Sequence, residues 1–334
     1  MITTHIYFAT CHNPWPWFRQ TPGNDGAWGD LQFHLEGETE AADWLVVYDD
    51  LSDCVQTRVP LPRRILFVTE PPGIKVYPTA YLDQFGIVVC PFVVERFRRR
   101  LIRQQTALPW QYGVDLKDDN ITSAGMTSAQ CWRDLAADKP KSKQMSVICS
   151  NLALLPQHRQ RLSFVERIQR RLGDSIDVFG RGINPIDDKR DAIAPYRYHI
   201  VLENNLIDHF WTEKLADAFI GDAYPVFYGC RNAGDYFDER GFHQIDIGNP
   251  DRAIDQIKQI MESNIWENSR AFIRENRRRV MTEHNLFAVV AKIISLCDQK
   301  THAAARIAPV ALRAARTGRL SIGRRFYRFL VDSI

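Results

Sequence analysis

Short runs of β-branched and aromatic residues recur through the first third of the chain, each closed by Pro, Gly, Asp or a charged residue. Those at 6–9, 44–48, 65–68 and 87–90 are almost continuously apolar, the pattern of parallel strands buried on both faces. The segment 93–104 (VVERFRRRLIRQ) has apolar positions at helical spacing and predicts a helix. Residues 115–144 turn polar and read as an irregular connection, with a domain boundary near 140. The pattern then restarts with a strand at 145–149, a helix over 158–172, and a strand at 176–179 that runs into Gly180-Arg181-Gly182. The stretch 196–229 reads as a strand at 198–202, a polar loop, a helix opening near Thr212, and a second apolar strand. A last strand falls near 244–247, and helical spacing fills 251–263 and 268–298. Alternation of β and α in both halves predicts the α/β class, with two Rossmann-like domains, 1–140 and 141–299, facing each other across a central cleft.

A chain of 334 residues suits two domains, and 45% hydrophobic residues suit well-filled cores. No apolar run approaches the roughly 20 residues of a membrane span, and MITTHIYFAT reads as a first strand rather than a signal peptide. Seven scattered cysteines without C-x-x-C disfavour a zinc site or a disulfide framework and fit reduced thiols in the cytoplasm. The net charge of +3 is uneven. Residues 300–334 hold eight basic residues and one acid, leaving 35 basic against 39 acidic residues elsewhere. This basic tail alternates arginines with apolar residues. Its 303–334 segment reads either as an amphipathic helix lying on an anionic membrane surface, peripheral at the inner face, or as a helix packed on the globule. The clusters at 98–100 and 277–279 lack the aromatic interleaving of a nucleic-acid surface.

Candidate chemistry concentrates in 196–229. Glu203 and Asn204 stand where a strand ends, and Thr212, Glu213 and Lys214 stand where a helix begins. Ligands of open α/β sheets bind at that edge, and helix N-termini attract phosphate. A lysine in a first helical turn is opposed by the helix dipole unless an anion binds beside it. Glu213 can accept two hydrogen bonds from ribose hydroxyls, Asn204 can bridge ribose or phosphate, and Arg161 can grip a diphosphate bidentately.

The ordered set Tyr196-Arg197-Tyr198, Glu203-Asn204, Thr212-Glu213-Lys214 and Pro225-Val226-Phe227-Tyr228-Gly229 resembles the sugar-nucleotide signature of glycosyltransferase family 10, the α-1,3/1,4-fucosyltransferases, in their bacterial form. Arg161, after Ser150-Asn151 and three residues before Phe164, takes the place of the family's donor-site arginine. Phe210 stands where the family often carries an aromatic hydroxyl. The resemblance covers roughly 145–250. It implies a GT-B arrangement and inverting transfer of fucose from GDP-fucose to a hydroxyl of a glycan, such as a cell-envelope glycan. Donor binding would fall to Arg161, Glu203, Asn204, Phe210, Thr212, Glu213 and Lys214, with no required cofactor and no essential metal. The family's proposed base is a Glu after an apolar strand ending in Thr-Gly. Here the strand ends in Thr69 and runs directly into Glu70, which takes that role.

Weaker signals leave alternatives open. Trp15, Trp17 and Trp28 lie in an aromatic, glycine-rich segment that suits either a mobile acceptor loop stacking on sugar rings or a plain core or surface loop. Asp49-Asp50 and Asp187-Asp188 resemble the acidic metal motif of the other large glycosyltransferase fold. They support a second reading, a metal-assisted transferase of another nucleotide sugar. A third is a non-catalytic glycan- or nucleotide-binding protein of the same fold. His199, His209 and His243 show no metal-ligand spacing.

Overall fold

The structure is a computed structural model that describes residues 3–12, 14–35, 41–94, 97–117, 120–121, 125–136, 141–151, 153, 156–298 and 307–315. It divides into two compact units, Met1–Leu108 with Asn285–Phe326 and Pro109–His284 with Tyr327–Ile334, the part beyond 315 lying outside the described residues.

Unit 1 contributes β1 (Thr4–Thr10), β2 (Ala27–Trp28), β3 (Leu31–His34), β4 (Trp44–Tyr48), β5 (Val55–Thr57), β6 (Arg64–Phe67), the short helix α1 (Thr79–Leu82), β7 (Ile87–Cys90) and β8 (Arg100–Arg103). Seven strands form one sheet in the order β2-β3-β1-β4-β6-β7-β8, parallel except where β2 meets β3. All residues of β4, β6 and β7 are buried: β4 and β7 are unbroken apolar runs, and β6 also buries Arg64, whose Nε–H donates to the Val59 carbonyl. The helix expected over 93–104 does not form in 100–103. Those residues pair in parallel with β7, with Leu101 and Ile102 half-buried between exposed arginines. Pairing overrode the local helical spacing, and the arginines blunt the open edge of the sheet.

Unit 2 begins at 109 rather than near 140. The cause is local: the backbone N–H groups of Gln111 and Tyr112 donate to Asp217, and that of Gly113 donates to Asp188. The connection expected to be irregular contains β9 (Leu116–Lys117), β10 (Asn120–Ile121) and α2 (Ser128–Ala136). Then follow β11 (Lys143–Ile148), α3 (Pro156–Leu172), β12 (Ile176–Phe179), α4 (Lys189–Ile193), β13 (Tyr196–Leu202), α5 (Glu213–Ile220), β14 (Tyr224–Tyr228), β15 (His243–Gln244), α6 (Pro250–Met261) and α7 (Ile265–Thr282). The five-stranded sheet β12-β11-β13-β14-β15 is wholly parallel. Both units are thus Rossmann-like, the class expected.

The helix expected over 268–298 is interrupted after Thr282. Asn285 starts a new helix, α8 (Leu286–Asp298), by accepting the N–H of Ala288 at 3.0 Å. The helix α8 belongs to unit 1, so the second domain ends before 285 rather than at 299. There Phe287 meets Phe33 edge-on at 4.9 Å. Residues 307–315 are not helical. β16 (Val310–Leu312) pairs antiparallel with β5, Gln84 brackets Arg313 with two hydrogen bonds, and the N–H of Ala315 donates to Asp50 at 2.8 Å. The rest of the expected tail helix, 316–334, lies outside the described residues. Among the described residues no single helix is long and apolar enough to cross a membrane. All seven cysteines are free thiols.

Candidate functional site

The strands of unit 2 end together, and the loop after β13 carries the signature residues. Glu203 follows the last residue of β13 and is buried. Its Oε1 accepts from both the backbone N–H (2.9 Å) and the hydroxyl (2.7 Å) of Thr212. Glu203 therefore fixes the two ends of the loop 203–212 to each other. Thr212 in turn caps α5, its Oγ1 accepting from the N–H of Lys214. Phe210 is buried, and Trp211 packs edge-on against Tyr236, Phe237 and His284. His209 adopts a left-handed backbone (φ 67°) and is held by Asn232 and Tyr236, a structural post within the loop.

The charged groups at this edge form a closed set. Lys214 Nζ lies 2.9 Å from Glu213 Oε1 and 3.8 Å from Glu203 Oε2. Burial would raise Glu213, but the ammonium groups of Lys214 and Lys189 pull it down to about 2. Burial raises Glu203, with Lys214 opposing. Arg161 of α3 donates from Nη1 to the carbonyl of Leu202 at 3.3 Å. Several buried polar atoms here have no hydrogen-bond partner: Arg161 Nε, Asn204 Oδ1, Glu213 Oε2 and His158 Nδ1. Burial, with Arg161 and Lys214 nearby, lowers His158 to about 4, so its ring is neutral at neutral pH. A cavity here has apolar walls, among them Ile148, Ile200 and Val201, and its polar lining is Ser150, Arg161, Lys189, His199, Lys214 and Asp217. Three of those six polar side chains are cationic, and an anion answers them.

Arg161, Glu203, Thr212, Glu213 and Lys214 therefore converge as the sequence implies, with Asn204 half-buried beside them and Phe210 in the core. Glu203 and Thr212 also hold the loop itself. Lys189 and Asp217 escaped the sequence reading. Glu213 and Asp217 sit four residues apart on α5, a like-charge pair that destabilises a helix without a counter-ion. That spacing was the available signal.

In unit 1, Glu70 follows β6 and is 6% exposed. Its backbone N–H donates to Tyr77 Oη at 3.4 Å, and the Tyr77 hydroxyl donates to Asp49. Asp49 also meets Lys75 at 3.0 Å and His12 at 3.1 Å. Burial would raise Asp49, but His12, Lys75 and Tyr77 hold it well below the usual carboxylate range. Asp50 pairs with Lys75 at 3.1 Å and accepts the N–H groups of Leu51 and Ala315. Cys11, His12 and Asp49 do offer ligand atoms within 4.8 Å of one another, yet the Lys75 ammonium beside Asp49 opposes a cation there. Asp188 caps α4 and accepts from Gly113. Asp49 and Asp50 thus share Lys75 as their cation, and Asp188 serves its helix cap.

The acceptor expectation needs correction at two of three tryptophans. Trp15 and Trp17 are 2% and 1% exposed. The Trp17 ring packs edge-on against Phe8 and Tyr48, and its Nε1–H donates to the His12 carbonyl. These indoles fill the core rather than line a mobile loop. Trp28, on β2, is half-buried.

Residues 138–302 match the model of a family described as glycosyltransferase family 10 (fucosyltransferase), C-terminal part. The chain is 28% identical over 76 residues to the alpha-(1,3)-fucosyltransferase FucT of Helicobacter pylori, a match that spans 22% of this chain and 16% of that protein's length. Among solved structures, an alpha1,3-fucosyltransferase aligns over 92% of this chain and 93% of its own, with a TM-score of 0.51 and 16% identity. An alpha1,3-fucosyltransferase solved with GDP aligns over 90% and 92%, with a TM-score of 0.51 and 15% identity. At such identities the structural likeness speaks for the fold, and the sequence match to glycosyltransferase family 10 is carried by residues 138–302.

Proposed function

We propose that the chain is an inverting glycosyltransferase that moves fucose from GDP-fucose to a hydroxyl of a glycan acceptor. The strongest support is the set of buried, unpartnered polar atoms at the carboxyl edge of the unit 2 sheet. Arg161 Nε, Glu213 Oε2 and Asn204 Oδ1 each lack a hydrogen-bond partner, a costly condition that a bound ligand relieves. Their chemistry matches a nucleoside diphosphate. Arg161, Lys214 and the first N–H groups of α5 stabilise the charge that grows on the leaving diphosphate. Glu213 receives ribose hydroxyls. Glu70 acts as general base on the acceptor hydroxyl. GDP, fucose and the α-linked product are read from the family match over residues 138–302.

In this reading the charge of the diphosphate is met by side chains, so transfer persists in EDTA. A metal-assisted transferase working through Asp49 and Asp50 would lose activity there.

A thermal-shift panel of GDP-, UDP- and CMP-sugars tests the donor. GDP-fucose and GDP should raise the melting temperature, and Lys214→Ala should abolish the rise. Stabilisation by UDP-sugars in preference to GDP-sugars would overturn the donor assignment.

A further inference from the structure

Glu213 and Asp217 lie one turn apart on α5, and both are fully buried. Two carboxylates at that spacing repel, and in a water-poor interior they need a shared cation. Lys189, on α4, supplies it. Its Nζ lies 3.6 Å from Glu213 Oε1 and 3.2 Å from Asp217 Oδ2, and its side chain is 2% exposed. Asp217 is itself immobilised, since its Oδ1 accepts the N–H groups of Gln111 and Tyr112. Glu213 Oε1 is thus held between two ammonium groups, Lys189 on one side and Lys214 on the other. Its other oxygen, Oε2, is left buried without a hydrogen-bond partner.

We propose that Lys189 is a positioning residue of the nucleotide site: its ammonium, anchored on Asp217, fixes the Glu213 carboxylate so that Oε2 is presented to the ribose hydroxyls of a bound nucleoside diphosphate. The short helix α4 then belongs to the donor site although none of its residues is in the family signature. Lys189 holds this role only if Glu213 receives the ribose, as read above.

The groups that face Glu213 define a readout specific to this role. Lys214 and Lys189 are the cations on it, with Arg161, Glu203 and Asp217 in the surrounding field. Removing Lys189 leaves one cation against burial and two neighbouring carboxylates. Glu213 then takes up a proton at higher pH, and a protonated carboxyl accepts from a diol less well than a carboxylate.

The test is calorimetric GDP binding from about pH 5 to about pH 8, a range above the ordinary glutamate pKa. Each variant is read as its affinity relative to wild type at the same pH, so the titration of GDP itself cancels. Lys189→Met should bind more weakly, with a ratio that falls further toward acid, approaching about tenfold per pH unit below the new pKa. Lys189→Arg keeps the charge and should give a flat ratio. Lys189→Met leaves Asp217 buried without a counter-ion and can fail to fold. The double variant Lys189→Met/Asp217→Asn removes that charge and should retain the acid limb. A folded double variant with wild-type affinity and a flat ratio overturns the role of Lys189. Wild-type GDP affinity in Glu213→Gln overturns the ribose assignment instead, which separates the two failures.

Discussion

Glu70 and Thr212 both follow from their places at strand and helix ends, yet they answer to different measurements. In its proposed role as general base, Glu70 contributes to the chemical step and not to donor binding. Glu70→Gln should therefore keep the GDP affinity and lower transfer by roughly 10²- to 10⁴-fold; near-normal turnover would remove Glu70 from the role. Thr212 instead carries loop and helix together. Thr212→Val deletes the cap of α5 and one of the two donors to Glu203, a buried carboxylate. The expected loss is about 1–3 kcal/mol of stability, visible as a lower urea midpoint at unchanged m. Thr212→Ser should recover most of it. Glu203, Asn204, Thr212, Glu213 and Lys214 were legible because they lie within a dozen positions of one another, where strand end, loop and helix start can be seen together. Lys189 was not, because its partners on α5 come 24 and 28 residues later and only the parallel sheet brings α4 to them. Trp15 and Trp17 misled for a related reason: an aromatic-rich segment reads alike whether its rings face water or Phe8 and Tyr48.

At the level of elements, fully buried strands announced themselves. The strands at 44–48 and 87–90 form as read, since an unbroken apolar run between charged residues has few other solutions. Elements decided by long-range pairing did not. β8 spells a helix locally and becomes a strand only because β7 offers an edge. The tail at 307–315 is basic and alternating, and it pairs with β5. That pairing redefines any truncation of the tail. A chain ending at Arg306 loses β16, the Gln84 bracket on Arg313 and the N–H that Asp50 accepts from Ala315. It should melt at a lower temperature than a chain ending at Ala315, by several degrees if unit 1 unfolds as one transition. Equal melting temperatures would mean that the strand adds nothing. Any test of membrane binding by the tail must therefore cut after 315, not before 307.

For the molecule as a whole, buried histidines set the acid side of stability. His199 is pushed down to about 3, first by burial and then by Lys189 and Lys141, and His158 is lowered to about 4. An unfolded histidine titrates near 6.5, so below that pH the unfolded chain binds more protons and stability falls as pH falls. Glu213, lowered to about 2, adds a loss in the same direction below about pH 4.3. Asp188, raised to about 6 mainly by burial, runs the other way over a narrower window. The urea midpoint should drop between about pH 6.5 and about pH 4, and His199→Gln should flatten that drop. The donor His199 Nδ1–H is held on Ser146, whose hydroxyl donates to the Ala192 carbonyl; the amide of glutamine can replace that donor. A midpoint independent of pH over this window would contradict neutral burial of both rings.

The return of α8 and β16 to the first unit also fixes an order of events during synthesis. Ribosomes deliver the chain N-terminus first. By the time residue 284 has emerged, every described residue of unit 2 is available. The half that holds Glu70 was begun first, but it still lacks Phe287 against Phe33, β16 against β5, and the Ala315 N–H that Asp50 accepts. That unit must wait, with β5 lacking its partner strand β16 and the residues later met by α8 uncovered, while the later-made half closes. The unit whose strands are translated first is the one that can be finished only last.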